Sequence, residues 1–111
     1  MEEYPIQIEP TFDAQQIEIA VERSSRGLGL LETMKSTLAK YPGSVHWHFK
    51  KPRVSGTLEV TYWPSGNRLW ISVQRGRRAD WLEESAPSME RCLRNALGYV
   101  EESKREAHPK G

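Results

Sequence analysis

Three side chains in the middle of the chain have the types and spacing that bind metals or move protons. His46 and His48 flank Trp47, and Glu59 lies in the next apolar-polar alternating stretch. Alternate residues of a strand point to the same face, so the two imidazoles would be neighbours. Two imidazoles and a carboxylate suit a zinc-type cation, and a histidine beside a carboxylate suits acid–base chemistry.

A simpler interpretation competes with both. Histidines are common at the polar positions of strands, nothing else in the chain offers a fourth ligand, and no pocket signature accompanies the pair. Cys92 lies on an apolar stripe of a predicted helix, which favours a buried structural thiol over a nucleophile. We therefore expect no metal, no cofactor and no enzymatic activity.

The length and composition indicate one ordinary domain. A chain of 111 residues can bury a core without disulfides, and its single cysteine provides none. No apolar run approaches the roughly 18 residues that a membrane span needs, and the acidic N-terminus does not resemble a secretory signal. We expect a soluble protein of the reducing cytoplasm, with no membrane partner.

The charge is distributed unevenly. Residues 1–39 hold three basic and seven acidic side chains, whereas residues 40–78 hold eight basic side chains and only one acidic one, Glu59. Residues 79–111 are again slightly acidic, and the net charge of the chain is +1. Because the basic third also holds both candidate histidines and three of the four tryptophans, we expect binding chemistry there.

The N-terminal third predicts an extended arm followed by one long helix. Two prolines in residues 1–12 suit an extended arm or a short edge strand. Asp13 and Gln16 form a capping-box pattern, and apolar side chains then recur at steps of four and three. The expected helix runs from 13 to 41 and ends at a Pro-Gly pair, although a Gly-Leu-Gly sequence near its middle could split it.

The middle third predicts three antiparallel strands. Apolar and polar residues alternate from 45 to 50, from 57 to 63 and from 69 to 73. A longer loop at 51–56 joins the first two strands, and a tight turn at 63–68 joins the last two.

The C-terminal third predicts a helix that begins at Ser85, with Pro87 in its first turn and an apolar stripe after it. The expected fold is therefore α+β, a three-stranded antiparallel meander with two helices packed on one face, in the order α-β-β-β-α. Residues 13–107 would form the single domain, residues 1–12 an extended arm and residues 108–111 a flexible tail.

The opposite sheet face would then lack a cover. The turn register places Trp63 beside Arg68 and Thr61 beside Trp70. The six-residue loop brings His48 near Glu59 and His46 near Thr61. The candidate binding face has seven strand residues and three arginines that follow the last strand: His46, His48, Lys50, Thr61, Trp63, Arg68 and Trp70, with Arg75, Arg77 and Arg78.

Two tryptophans on an uncovered face have three explanations. Single-stranded nucleic acid, RNA above all, could stack its bases on them while lysines and arginines follow the phosphates. A protein partner, or a second copy of the chain, could bury them. Alternatively, the N-terminal arm or the segment after residue 78 partly covers them, and the basic residues are loop charges offset by acidic helices. We expect a non-enzymatic interaction domain that binds a protein partner or forms a homodimer, with nucleic-acid binding as the alternative.

The order of elements is similar to that of double-stranded RNA-binding domains. Arg77 and Arg78 lie just before the last helix, where that family keeps basic residues for phosphates. Two features depart from the family: the loop at 51–56 has no histidine, and Pro87 interrupts the last helix. The resemblance is therefore one of topology, which is weak ground for function.

Overall fold

The computed structural model describes residues 2–73 and 80–106, of which residues 99–106 are described by backbone only. It contains a five-stranded antiparallel sheet and two helices. The expected α+β class and antiparallel pairing are confirmed. The expected three-stranded sheet and the order α-β-β-β-α are wrong, because two further strands lie at the sheet edges. The elements are β1 (Glu2–Ile6), α1 (Ala14–Gly27), β2 (Leu31–Ser36), β3 (Val45–Lys50), β4 (Leu58–Trp63), β5 (Arg68–Val73) and α2 (Asp80–Glu106). The strands lie in the sheet in the order β1-β5-β4-β3-β2.

The predicted meander forms strands β3 to β5 with the expected register. Trp63 pairs with Arg68 and Thr61 pairs with Trp70. A short 3-10 turn at Pro64–Gly66 joins β4 to β5. Asn67 closes that turn in the left-handed conformation, which asparagine tolerates better than most residues.

The expected helix over 13–41 is wrong beyond Gly27. The predicted capping box is present at its start, where the backbone N–H of Asp13 donates to the side chain of Gln16. At its end Gly29 adopts a positive φ of 76°. The backbone N–H of Leu30 donates to the Ser25 carbonyl at 3.0 Å, and that of Gly29 donates to the Arg26 carbonyl at 3.0 Å. These bonds form a Schellman motif, which stops a helix. The chain then enters β2 as an edge strand, so the resemblance in element order to double-stranded RNA-binding domains is lost.

The predicted N-terminal arm supplies the other edge of the sheet. β1 pairs antiparallel with β5, and Tyr4 lies opposite Ile71 while Ile6 lies opposite Leu69. Ile6 is buried, so the segment is held by apolar contact as well as by the backbone ladder.

The C-terminal helix begins at Asp80 and not at Ser85, so Pro87 lies inside it. Proline removes one helical hydrogen bond, a loss that water can offset here because Pro87 is exposed. Leu82 and Ala86 before the proline and Met89 after it are all buried, and this continuous apolar stripe explains why the helix does not restart. Cys92 is half-buried, and it is a free thiol.

Both helices contribute to one core on one face of the sheet, here called the inner face. Trp47, Phe49 and Leu58 are fully buried there. The carboxylate of Glu22 on α1 accepts hydrogen bonds from the Trp47 indole at 3.1 Å and from Lys35 on β2 at 2.8 Å, so α1 is tied to both strands. Within the described part of the chain, neither helix is long and apolar enough to cross a membrane.

Candidate functional site

The opposite side of the sheet, here called the outer face, brings the candidate histidines and the carboxylate together. His48 pairs with Glu59 and His46 pairs with Thr61 across β3 and β4, as the loop length predicted. Strands β3 and β4 lie in the middle of the sheet, and each is hydrogen-bonded to a strand on both sides, so their backbones are fixed. The side chains that project from them are therefore held in one place.

The three groups form a compact cluster. The Nε2 atoms of His46 and His48 are 3.1 Å apart. The carboxylate of Glu59 lies 3.4 Å from His46 Nε2 and 3.9 Å from His48 Nε2. On its other side, the His46 ring makes a 2.8 Å hydrogen bond through Nδ1 to the Thr61 hydroxyl. Each of the three side chains thus brings one ligand-type atom to within 4.8 Å of the other two.

Burial and charge act against each other within the cluster. Burial lowers the pKa of His46 and is the largest influence on it, the charge of Glu59 raises that pKa, and His48 lowers it. The net pKa lies below that of an ordinary histidine, so the surroundings favour the neutral form of His46. The His48 side chain is 30% exposed, which gives solvent access to the cluster from that side.

A second cluster on the outer face is aromatic. The ring of Tyr41, in the loop between β2 and β3, lies 5.1 Å from the centroids of both Trp63 and Trp70. The guanidinium of Arg68 covers Trp70 at 4.3 Å, and the indole N–H of Trp63 donates to the Pro42 carbonyl. Trp70 is consequently only 4% exposed. Gly66 makes room for the Trp63 ring, since a Cβ at that position would overlap it.

The remaining candidates are dispersed. Lys50 and Arg68 are exposed, Trp63 is half-buried and Thr61 is buried. Arg75, Arg77 and Arg78 lie outside the described residues. Among the described residues, Arg68 at the start of β5 therefore lies with the tryptophans, whereas Lys50 lies at the end of β3.

The edge strand β2 adds exposed apolar side chains that the sequence analysis did not include. All six of its residues are exposed, and Leu31 and Met34 are exposed by 54% and 38%. Both point to the outer face, because they pair with Lys50 and His48. Residues three apart in a regular strand point to opposite faces of the sheet. A register shift between Glu32 and Met34 instead brings Leu31 and Met34 to the same face. An assignment of this segment to a helix concealed that arrangement.

Comparisons of the chain with protein-family models, with curated proteins and with solved structures found no match.

Proposed function

We infer that this chain is a small interaction domain that pairs with a second copy of itself along β2 and the neighbouring part of the outer face. The observation that carries the proposal is the exposure of Leu31 and Met34 on a fully exposed edge strand. An edge strand offers unpaired backbone groups to another strand, and apolar side chains beside it give that contact its specificity.

The sequence of β2 supports a symmetric pairing. An antiparallel contact of two β2 strands centred between Thr33 and Met34 would set Glu32 of each copy opposite Lys35 of the other. Opposite charges directly across two strands are favourable, and a two-fold axis would create this juxtaposition twice, with each Lys35 shared between Glu22 of its own copy and Glu32 of the other. Leu31 and Met34 of both copies would then lie on one continuous outer face.

Binding through the tryptophans has less support than binding through β2. Bases that stack on a protein need a free aromatic surface, and the Trp70 ring is covered by Arg68 and Tyr41. Single-stranded nucleic acid is the alternative partner, and the experiment must distinguish it from self-association. We propose a role in binding without catalysis, within the reducing cytoplasm that a single unpaired cysteine suits.

The test is the solution mass, measured by light scattering after gel filtration over a range of protein and salt concentrations. We expect a dimer that persists at high salt, because backbone pairing and apolar burial are weakly screened. Leu31→Glu and Met34→Glu should each give a monomer with unchanged circular dichroism. Ile19→Glu is the matched control, since Ile19 is a comparably exposed apolar residue on α1, and it should leave the dimer intact.

A labelled single-stranded oligonucleotide is titrated in parallel. A protein that is monomeric at every concentration contradicts self-association. If that monomer also binds the oligonucleotide at low salt and releases it by roughly 0.3 M, the nucleic-acid alternative replaces the proposal. A dimer that Leu31→Glu does not affect would place the contact elsewhere on the chain and would refute the role of β2.

A further inference from the structure

We propose that His46, His48 and Glu59 form a binding site for a divalent transition-metal cation of the zinc type. Imidazole nitrogen and carboxylate oxygen are the donors that such cations take in proteins. Among the described residues, these three form a group of metal-ligating side chains whose ligand atoms all lie within 4.8 Å of one another. The site does not depend on the proposed self-association.

The separations of the donor atoms fit a single ion. Zinc bonds of about 2.0–2.1 Å in a tetrahedral arrangement place neighbouring ligand atoms about 3.3 Å apart. The two Nε2 atoms are 3.1 Å apart, Glu59 Oε1 lies 3.4 Å from His46 Nε2, and Glu59 Oε2 lies 3.9 Å from His48 Nε2. One donor atom from each residue lies within 4.8 Å of the other two. Small side-chain rotations would therefore bring the two Nε2 atoms and a carboxylate oxygen to bonding distance, with no movement of the strands.

The surroundings of His46 resemble a prepared ligand shell. A metal-binding histidine usually engages its second ring nitrogen in a hydrogen bond, which fixes the orientation of the ring. The Nδ1 atom of His46 is held in this way by the buried Thr61 hydroxyl at 2.8 Å. Its Nε2 atom is thereby directed at the other two ligands.

One coordination position would remain for a molecule from solvent. Three protein ligands with an open fourth position are typical of zinc sites that take water or an exogenous ligand. The partial exposure of His48 gives the cluster the access that such a ligand needs. The lack of a fourth protein ligand was one of the arguments against a metal in the sequence analysis, but a water molecule can occupy that position.

The alternative is a hydrogen-bonded network without a metal, in which one histidine donates to the other and Glu59 accepts. The two possibilities differ in their response to metal ions. A cation site predicts saturable binding of one ion per chain, whereas a network predicts none. The histidines of the network would also contribute to stability in a metal-free buffer.

The experiment uses the full chain without an affinity tag, titrated with Co²⁺ and then with Zn²⁺. We expect visible absorption bands of low-coordinate Co²⁺ that saturate at one ion per chain, are displaced by Zn²⁺, and are accompanied by a rise in melting temperature. His48→Gln and Glu59→Gln should weaken Zn²⁺ binding by at least about 100-fold, since loss of even an outer-shell partner costs about 10–100-fold.

Two further variants sharpen the result. His108→Gln removes the one histidine outside the cluster and should change neither the spectrum nor the affinity. Thr61→Val, nearly the same in shape, should weaken binding by about 10–100-fold and keep the stoichiometry, as expected for a residue that positions His46. Absence of the Co²⁺ bands in the folded protein would overturn the proposal, as would wild-type affinity in His48→Gln, whose partly exposed side chain can be replaced without unfolding the core.

Discussion

The two faces of the sheet bury their side chains by different means. On the inner face Trp47, Phe49 and Leu58 have no exposed surface, and they are covered by the apolar stripes of two helices. On the outer face Thr61 and Trp70 are almost as deeply buried, yet their described contacts are rings, a guanidinium and hydrogen-bonding groups. Low exposure therefore does not by itself identify a hydrophobic core.

This difference has an energetic consequence. Apolar burial against close-packed helices leaves a cavity when a side chain is shortened, and the cost is large. Aromatic and charged contacts at the surface are worth about 0.5–1.5 kcal/mol each, and solvent can replace part of what is lost. Substitutions on the two faces should therefore separate into a strongly and a weakly destabilising group.

The largest effect should come from the inner face. Phe49→Ala should lower the free energy of unfolding by about 3–5 kcal/mol, measured by urea denaturation, because the ring is fully buried between sheet and helices. Val54→Ala, in the exposed loop between β3 and β4, is the control and should change stability by less than about 0.5 kcal/mol. A loss below about 1 kcal/mol for Phe49→Ala would show that the core relaxes around the gap and would break the contrast.

A smaller effect is expected on the outer face. Tyr41→Ala removes two aromatic contacts, which should cost about 1–3 kcal/mol and expose Trp63 and Trp70 to water. Tryptophan fluorescence should shift to longer wavelength as unfolding shifts to lower urea. Tyr41→Phe keeps the ring and should preserve the fluorescence. An unchanged spectrum in Tyr41→Ala would mean that the tryptophans do not depend on this loop.

The same contrast explains which parts of the fold could be predicted from the sequence. Strands β3, β4 and β5 have one apolar and one polar face, so their alternation and a tight turn were enough to predict strand pairing and the meeting of His48 with Glu59. The geometry of the metal-type cluster could be anticipated only as far as that register. The orientation of the His46, His48 and Glu59 side chains toward one another, and the hydrogen bond of His46 to Thr61, depend on packing that periodicity does not describe.

The edge strands could not be predicted in the same way. All of β2 is exposed, so no buried face imposes a two-residue period, and Leu31 and Lys35 continue the helical spacing of α1. The deciding signal was local: Gly29 followed by the buried Leu30 is the sequence of a helix stop, and it outweighs the periodicity. At Pro87 the local signal for a break is outweighed instead, because buried apolar residues on both sides of the proline keep the helix continuous.

The smallest effect concerns the border between the inner face and β2, where Glu22 accepts hydrogen bonds from Lys35 and Trp47. Burial by itself would raise the pKa of Glu22, but those hydrogen bonds and the charges of Lys35 and Arg26 together outweigh it, so the net pKa is lowered. A carboxyl with a lowered pKa stabilises the fold fully above its unfolded pKa of about 4.3 and loses that contribution as pH falls through the folded value.

Glu22→Gln keeps the size of the side chain and its ability to accept from Trp47, but it removes the charge that pairs with Lys35. It should therefore cost about 1 kcal/mol at pH 7, a small value because the Lys35 side chain is 40% exposed and the pair is screened. Urea denaturation of both proteins from pH 7 to pH 3 should show this difference shrinking as the wild-type carboxylate is protonated. A difference that stays constant over that range would mean that Glu22 acts by packing alone, and that the border of the inner face is held by the same means as its centre.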